Sequence, residues 1–520
     1  MDKMSGAPPA GSGLPSEPCF LGVDIGSGSV KAVVFNDAGV ERGHGQAAYP
    51  TNHPGPNRAE ADPELIWAAV VAAVHAAVDG LAVAPQAMAL AAHGESVLPV
   101  DAHGAALGPM LMNADNRAVA EAAAIGRALG QNDGPARYHA ITGLPLHPMY
   151  AIAKMQWLAR HEPERFAQAA WWLGPAEYTL LRLGLPVRSE PSLAARTGAL
   201  DLAGRTWSSA ILAAAGVAES RLPPLIPAGR AVGSLSAAAA AELGLPSGIP
   251  VALAGHDQVC GALGAGCVQP GDTGDSAGTY ECLTAISAQR PASAQALPLH
   301  LNTGPHVVDG LFATLAFFPA GMVVQWLLAA TVAPEDQAAF LAGLDDRLTA
   351  IPGPTGVCIL PHLVGACTPH WNAQATGAML GLTPRTGRDQ LFKAVFEGLA
   401  CELAENVDAL RTLVGPCERI RIFGGNARCP ATVRLRADLT GCTFVAAPRE
   451  AVCLGAAMLA ATAAGRFADP VQAARAMGRS DGQTVPDPAL VRAYRPQRQV
   501  YQAFNQAMIP LHAALAAIPT

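Results

Sequence analysis

The sequence predicts an α/β protein built as two related domains that face each other across a central cleft. Three observations carry that expectation. At 520 residues the chain is too long for one ordinary domain, so two large ones are the natural reading. Apolar runs of strand length alternate with amphipathic helical stretches, which is the pattern of α/β architecture. A glycine-containing hairpin also opens each half: FLGVDIGSGSVKAVVF near the start, and GDTGDSAGTYECLTAIS just past the middle.

Each element follows from its residues. Residues 1–19 are rich in Gly, Pro and Ser and lack the apolar core of a signal peptide, so they read as a loose tail. The first hairpin has strands at Phe20 to Val23 and Val30 to Phe35, joined by Gly26-Ser27-Gly28-Ser29. DPELIWAAVVAAVHAAVDG is a helix that Asp62 caps, Pro63 starts and Gly80 closes. AMALAAHGESVLPVDAHG reads as strand, polar turn, strand. Ala118 to Arg205 is mainly helical and loop-like, with Trp157, Trp171 and Trp172 in its core. SGIPVALAGHDQ returns to strand, and the second hairpin, with Gly274 and Gly278, repeats the plan of the first.

RDQLFKAVFEGLACELAENVDAL is a long amphipathic helix with Leu391, Val395, Leu399, Leu403 and Val407 along one stripe. ERIRIFGGNARCP is a strand that breaks into a Gly424-Gly425 turn, and EAVCLGAAMLAATAAG is a helix of small residues. A boundary between Ile249 and Gly255 divides an N-terminal domain, 20–253, from a C-terminal one, 254–520.

Composition narrows the function. Hydrophobic residues at 51% and charged ones at 14% describe a compact, core-rich chain. A net charge of -7, with no basic stretch interleaved with aromatics, argues against nucleic acid as a partner. Ten of the 11 cysteines lie from Cys260 onward without zinc-ligand spacing, so they read as buried thiols in a reducing compartment. The Ala-rich runs are too short or too interrupted to span a bilayer. A soluble cytoplasmic protein without a membrane partner is expected.

Residues 251–266, VALAGHDQVCGALGAG, hold the first chemical signal. Asp257 ends an apolar strand and precedes a helix. It reads either as an N-cap or as a catalytic base at the carboxyl end of a strand, where α/β sheets bind ligands. The glycine turns are the second signal. A Gly/Ser/Thr turn lets backbone N–H groups converge on an anion, with hydroxyls from Ser27, Ser29 and Thr279 and charge from Lys31. Neither turn has a Walker or GxGxxG pattern, and one hairpin alone is usually only a turn. Two in corresponding places, plus Gly424-Gly425, point to a phosphate chain. Asp24 is the third signal. A carboxylate in the apolar strand VDIG is costly unless paired or coordinating, and beside a phosphate turn Mg²⁺ explains it. Local backbone hydrogen bonds are the alternative.

These segments together resemble the FGGY carbohydrate kinases, members of the actin, Hsp70 and hexokinase superfamily of paired RNase H-like domains. The resemblance runs from Phe20 to about Gly465 in family order: FLGVDIGSGSVKAVVF, MLMNADNRA, AGHDQVCGALGAG, DSAGTYECLTA, GMVVQWL, TPHWNAQATGAMLGLT and FGGNARCPATVRLRADLTGCTFVAAPREAVCLGAAMLAA. It implies ATP-dependent phosphorylation of a sugar or polyol, with Asp257 as the base and Gln258 beside the substrate. Gly26, Ser27, Gly28 and Ser29 would hold phosphate, with Asp24 near Mg²⁺. Gly278 and Thr279 would approach the phosphates from the other domain, while Gly321, Gln325, Gly424, Gly425 and Asn426 would contact nucleotide. A homodimer is the assembly common among similar kinases. A pentulose such as D-xylulose is the leading substrate; glycerol, erythritol, ribulose or a deoxyketose are alternatives. A non-catalytic nucleotide-binding protein of the same fold is a second class.

The chain departs from the family mainly on the substrate side. Aligned without a gap, AAHGESV places Glu95 where glycerol kinases have a substrate-contacting Glu, and Gly94 where they have Arg. Aligned on the HG dipeptide, His93 matches the histidine of xylulokinases. His93 also reads as a turn residue bonded to backbone. Asp115 and Arg117 either reach substrate or pair with each other, and His370 reads as loop packing. Gly28 stands where many members have Thr, and Asn426 replaces a frequent third glycine, a position where Asn tolerates left-handed geometry.

Overall fold

The computed structural model describes residues 17–518. Most of the expected tail therefore lies outside the described residues. Of its end, Cys19 already belongs to the first strand, and the Glu17 carboxylate accepts from Asn36 Nδ2 at 2.6 Å.

The first lobe is laid on a six-stranded sheet. Its chain order is β1 (Cys19–Ile25), β2 (Ser29–Asn36), β3 (Glu41–Ala48), α1 (Pro63–Val78), β4 (Pro85–Ala92), α2 (Pro191–Arg196), β5 (Ala231–Ser234) and β6 (Pro250–His256). α3 (Asp257–Gly264) leads out of it. The spatial order is β5-β6-β4-β1-β2-β3, with β1, β4 and β6 parallel and the remaining pairings antiparallel. α1 forms as its caps dictate: the Asp62 side chain accepts from Glu64 N at 2.9 Å, Pro63 starts the helix, and Gly80 follows in the left-handed region. It buries Ile66, Trp67, Val70 and Val74 against one face of the sheet, each such side chain worth about 1.5–3 kcal/mol.

The second lobe holds a seven-stranded sheet. In chain order come β7 (Thr273–Ala277), β8 (Tyr280–Ser287), β9 (Asn302–Pro305), β10 (Phe312–Pro319), α4 (Gly321–Thr331), α5 (Arg388–Val414), β11 (Arg419–Phe423), α6 (Pro430–Thr440), β12 (Thr443–Ala446), α7 (Ala451–Ala463) and β13 (Gln483–Thr484). Five strands, β10-β8-β7-β11-β12, repeat the order and directions of β3-β2-β1-β4-β6. Each set also ends in an antiparallel edge strand, β13 or β5. The echo heard between the two glycine hairpins is thus an echo of whole sheets, the paired RNase H-like plan.

The lobes share a core. α3 and α7 lie between the sheets, packed backbone to backbone: a Cβ built on Gly264 would sit 1.8 Å from the Ala451 carbonyl oxygen, and one on Gly455 would sit 2.1 Å from that of Cys260. α7, which follows the second sheet in sequence, presses on the first. Gly22 of β1 meets the Cys453 carbonyl so closely that a Cβ there would lie 1.8 Å away. Of the expected tryptophans, Trp157 and Trp172 are buried in the helical layer of the first lobe, and Trp171 is half-buried.

Candidate active site

Strand register brings the first lobe's chemistry together. β4 lies between β1 and β6, with Ala92 opposite both Ile25 and His256. Three chain segments therefore leave the carboxyl edge side by side: the Gly26–Ser29 turn, the His93–Glu95 turn and Asp257. A register shift at Gly255 re-aims the last of these. Gly255 has φ +88°, and a Cβ there would lie 2.5 Å from Ser192 Oγ, so no other residue fits the bend.

The helix cap at this edge is His256, not Asp257. Asp257 is the first helical residue; its Oδ1 accepts the Gln258 N–H at 2.6 Å and lies 3.2 Å from His256 Nε2. The side chain keeps 18% of its surface exposed. Burial, then the carboxylates of Asp24 and Glu95, push its pKa well above the ordinary range, against the Gln258 N–H and Arg196. His256 is driven down to about 3, chiefly by burial and also by Arg196, so it stays neutral. Gln258 Oε1 is buried without a hydrogen-bond partner.

Asp24 pairs across the hairpin with Lys31. Its Oδ1 is buried and unpartnered, and burial pushes its pKa up to about 6, with Lys31 opposing and Glu450 adding. Local backbone hydrogen bonds thus do not account for it. An orphaned carboxylate oxygen is the donor a hard cation takes. Among the described residues no group of three His, Cys, Asp or Glu forms a cage. Lys31 Nζ is held by Glu450 Oε2 at 2.8 Å, which ties the hairpin to the start of α7.

The two glycine turns are built alike. In the first, Gly26 N donates to Ser29 O at 3.0 Å, while Tyr49 and Thr51 hold the carbonyls of Gly26, Gly28 and Ser27 from behind. Among the described residues nothing accepts the N–H of Ser27 or Gly28, and both residues are exposed. In the second, Gly278 N donates to Tyr280 O at 3.1 Å, and Thr279 is exposed. Gly321 N and Asn426 Nδ2 both donate to Gly278 O, at 3.1 and 2.9 Å. A Cβ on Gly321 would lie 2.7 Å from that oxygen, and one on Gly424 2.8 Å from Ala277 O. Gly278, Thr279, Gly321, Gly424 and Asn426 therefore form one cluster. Gly425 has open space around it. Gln325, one turn along α4, is exposed to solvent.

The substrate-side residues divide. His93 is buried with both ring nitrogens engaged, Nδ1 by Ile25 O at 2.9 Å and Nε2 by Ser96 Oγ at 2.8 Å, so it is a turn residue. Glu95, at φ +63°, takes Arg196 Nε on Oε1 at 2.6 Å. Burial is the largest influence on its carboxyl and acts upward, but Arg196, by charge and by hydrogen bond, and Lys154 hold it below the ordinary range. Gly94 is empty for a reason: a Cβ there would meet Arg196 Cβ at 2.4 Å. Asp115 and Arg117 form a knot with Glu60, Arg117 Nη2 lying 2.7 and 2.6 Å from the two carboxylates, and Asp115 also caps Ala59 N. They pair with each other.

Sequence reasoning missed several participants. Arg196 ends α2, more than a hundred residues from Glu95. Lys154 is fully buried, with Nζ donating to Glu95 O at 3.1 Å and Met112 O at 2.5 Å. Glu190 accepts from Ser192 N at 2.7 Å, and Ser192 Oγ accepts the N–H of His256 at 2.8 Å, which braces the bend before Asp257. A Pro after Glu190 announced a helix start, but no local signal announced a brace.

Comparison with known proteins fits this geometry. The description "FGGY family of carbohydrate kinases, N-terminal domain" matches residues 19–264, and its C-terminal counterpart matches 276–464. The chain belongs to the FGGY family of carbohydrate kinases. It is a sugar kinase, a phosphotransferase with an alcohol acceptor, which sets aside a non-catalytic role for the fold. Among FGGY relatives, a xylulose kinase of Escherichia coli (strain K12) is 28% identical over 95% of this chain and 100% of its own. A gluconokinase of Bacillus subtilis (strain 168) is 28% identical over 86% of this chain and 88% of its own. The crystal structure of a xylulose kinase from Rhodospirillum rubrum superposes with a TM-score of 0.82 at 26% identity, covering 95% of this chain and 100% of that one. ATP is the phosphoryl donor of the family. Among the described residues no helix is long and apolar enough to cross a membrane.

Proposed function

We propose that this kinase transfers the γ-phosphate of ATP to a hydroxyl of a ketose or polyol, with a pentulose such as D-xylulose as the leading acceptor. One observation carries the reading. Asp257 and Asp24 stand at the same carboxyl edge of the first sheet, one strand apart, with the Asp24 carboxylate helping to raise Asp257, beside a turn in which the Ser27 and Gly28 N–H groups have no acceptor among the described residues. Relatives that span nearly all of the chain and carry the name xylulose kinase support the pentulose.

Phosphoryl transfer needs alignment, charge neutralisation and a proton acceptor more than covalent help. The Asp257 carboxylate accepts the hydroxyl proton as that oxygen forms its bond to the γ-phosphorus and ADP departs. The proton then leaves to solvent through the exposed side of Asp257. The carboxylates around Asp257 strengthen it as a base, a role worth roughly 10²–10⁴-fold. The N–H groups of Ser27 and Gly28 from one lobe, and the Gly278-Thr279 turn from the other, cradle the phosphates. The Gly321, Gln325, Gly424, Gly425 and Asn426 region takes the rest of the nucleotide. Mg²⁺ bound at Asp24 would neutralise phosphate charge. Gln258 Oε1 is an acceptor awaiting a substrate hydroxyl.

Asp257→Asn should abolish sugar-dependent ADP release over a panel of D-xylulose, D-ribulose, glycerol, erythritol and a deoxyketose, while ATP binding stays within about threefold. Near-normal turnover in that variant would remove Asp257 from the mechanism. No turnover by the wild type on any of the panel would remove the substrate class.

A further inference from the structure

We infer that Arg196 is a positioning residue for Glu95, and that the pair selects an uncharged sugar or polyol and rejects a sugar acid. This deepens the proposed function and rests on it.

The guanidinium is clamped on every side. Its stem fills the space a side chain at position 94 would occupy, with Cβ and Cγ 2.4 and 2.5 Å from where a Cβ on Gly94 would stand. Its head lies 5.5 Å from the centre of the Tyr150 ring. Both Nε and Nη2 close on the same oxygen of Glu95, and the side chains are only 9% and 6% exposed. Glu95 cannot swing to follow another partner, because Lys154 grips its carbonyl and its backbone sits in the left-handed region. Oε1 is therefore committed. Oε2 takes no hydrogen bond from the described residues.

Charge bookkeeping around this corner then fixes the ligand. Asp257 and Glu95 are acids, and Arg196 answers Glu95. Lys154 spends its donors on two backbone carbonyls, and burial brings it down to about 7. Burial, together with Arg196 or Lys154 nearby, keeps His256 and His147 neutral, at about 3 and 4. Both cations are thus engaged, Arg196 by Glu95 and Lys154 by two backbone carbonyls, so an incoming carboxylate would be buried beside Glu95 and Asp257 with no cation free to pair with it. Acceptors, by contrast, are in surplus: Glu95 Oε2, Gln258 Oε1 and Asp257 itself. A surplus of acceptors suits a ligand that offers hydroxyl donors. The family's split between names such as xylulose kinase and gluconokinase falls on this chemical difference.

The test is the ratio of kcat/KM for D-xylulose to that for D-xylonate and D-gluconate, in wild type, Glu95→Gln, Arg196→Met and the double variant. Each protein is checked by thermal unfolding and ATP-analogue binding. The wild type should favour the neutral sugar by roughly 100-fold or more. Glu95→Gln is nearly isosteric and leaves Arg196 without its counter-ion, so the ratio should move toward the acids by at least about 10-fold. The double variant, lacking the guanidinium, should lose that gain. Arg196→Met should raise KM for xylulose far more than it lowers kcat. A wild type that prefers an aldonate, or a Glu95→Gln variant whose two activities fall in parallel, overturns the inference and leaves the kinase reading standing. A wild type that phosphorylates neither class overturns both.

Discussion

Replacing Gly455 with Ala probes the seam between the lobes. A Cβ at this position would lie 2.1 Å from the Cys260 carbonyl oxygen and 3.0 Å from the carbonyl carbon and Sγ of the same residue. Real Cβ contacts do not fall under 3.0 Å, so α3 and α7 must part by about 0.9 Å. The obstructing atom is backbone and cannot rotate away. α7 cannot retreat either, since its Cys453 carbonyl already touches Gly22 of β1. The displacement therefore falls on α3, whose first residue is Asp257. A misplacement near 1 Å costs roughly 10²-fold in rate, and overpacking of this kind costs about 1–3 kcal/mol. Steady-state phosphorylation of the preferred sugar should show kcat/KM down by about two orders of magnitude, with most of the loss in kcat. ATP-analogue binding should change little, and the unfolding midpoint should fall by a few degrees. A variant with kcat/KM within threefold of wild type and an unchanged midpoint would refute the rigid coupling of α3 to α7.

Three further outcomes follow from groups already placed. Asp24→Asn should lower kcat by roughly 100-fold or more and raise the Mg²⁺ concentration needed for half-maximal rate, which a magnesium titration reads; an unaltered titration would reject Asp24 as the metal's neighbour. Glu190 is raised from 4.5 to about 7, mainly by burial, so the folded protein holds this proton more tightly than the unfolded one. Its stabilising effect is complete below pH 4.5 and is lost as pH climbs to about 7, a change on the order of 3 kcal/mol. Glu190→Gln should remove that slope, so its melting midpoint should gain on wild type from pH 4.5 to 7; parallel curves would show Glu190 titrating normally. Arg436→Leu strips the bidentate partner from buried Glu281, at 2.9 and 2.7 Å, and leaves Asp275 beside it without a cation. Stability should fall by about 3–5 kcal/mol, measured by denaturant unfolding; a loss under about 1 kcal/mol would contradict the burial of those charges.

What could be read from residues alone was whatever leaves a local mark. The strands of both hairpins, the caps of α1, the stripe of α5 and the glycine turns each carry their signal within a few positions, and each formed where its residues placed it. What stayed hidden was long-range. The small-residue helix at 451–463 was legible as a helix, but nothing in AVCLGAAMLAATA says that it presses on Gly22, more than four hundred residues away. Arg196 shows the same limit: an arginine at a helix end is ordinary, and only folding brings it across Gly94 to Glu95. His93 and Glu95 were rivals for one role because register could not be fixed without coordinates. In the fold both ring nitrogens of His93 are engaged, by Ile25 and Ser96, whereas one carboxylate oxygen of Glu95 takes no hydrogen bond from the described residues.

The late arrival of α7 bears on how the protein is made. One face of the first sheet, with Phe20, Val33, Phe35, Ala87, Ala89 and Ala91, shares a core with residues of α7 such as Leu454 and Met458. Roughly 195 residues separate the end of β6 from the start of α7, about 10–40 s of synthesis at 5–20 residues per second. For that interval the emerging polypeptide carries an apolar sheet with half its lid still unmade. The amino-terminal portion thus cannot complete its core until α7 has emerged, and ribosomes stalled before position 451 should display a nascent chain that recruits chaperones.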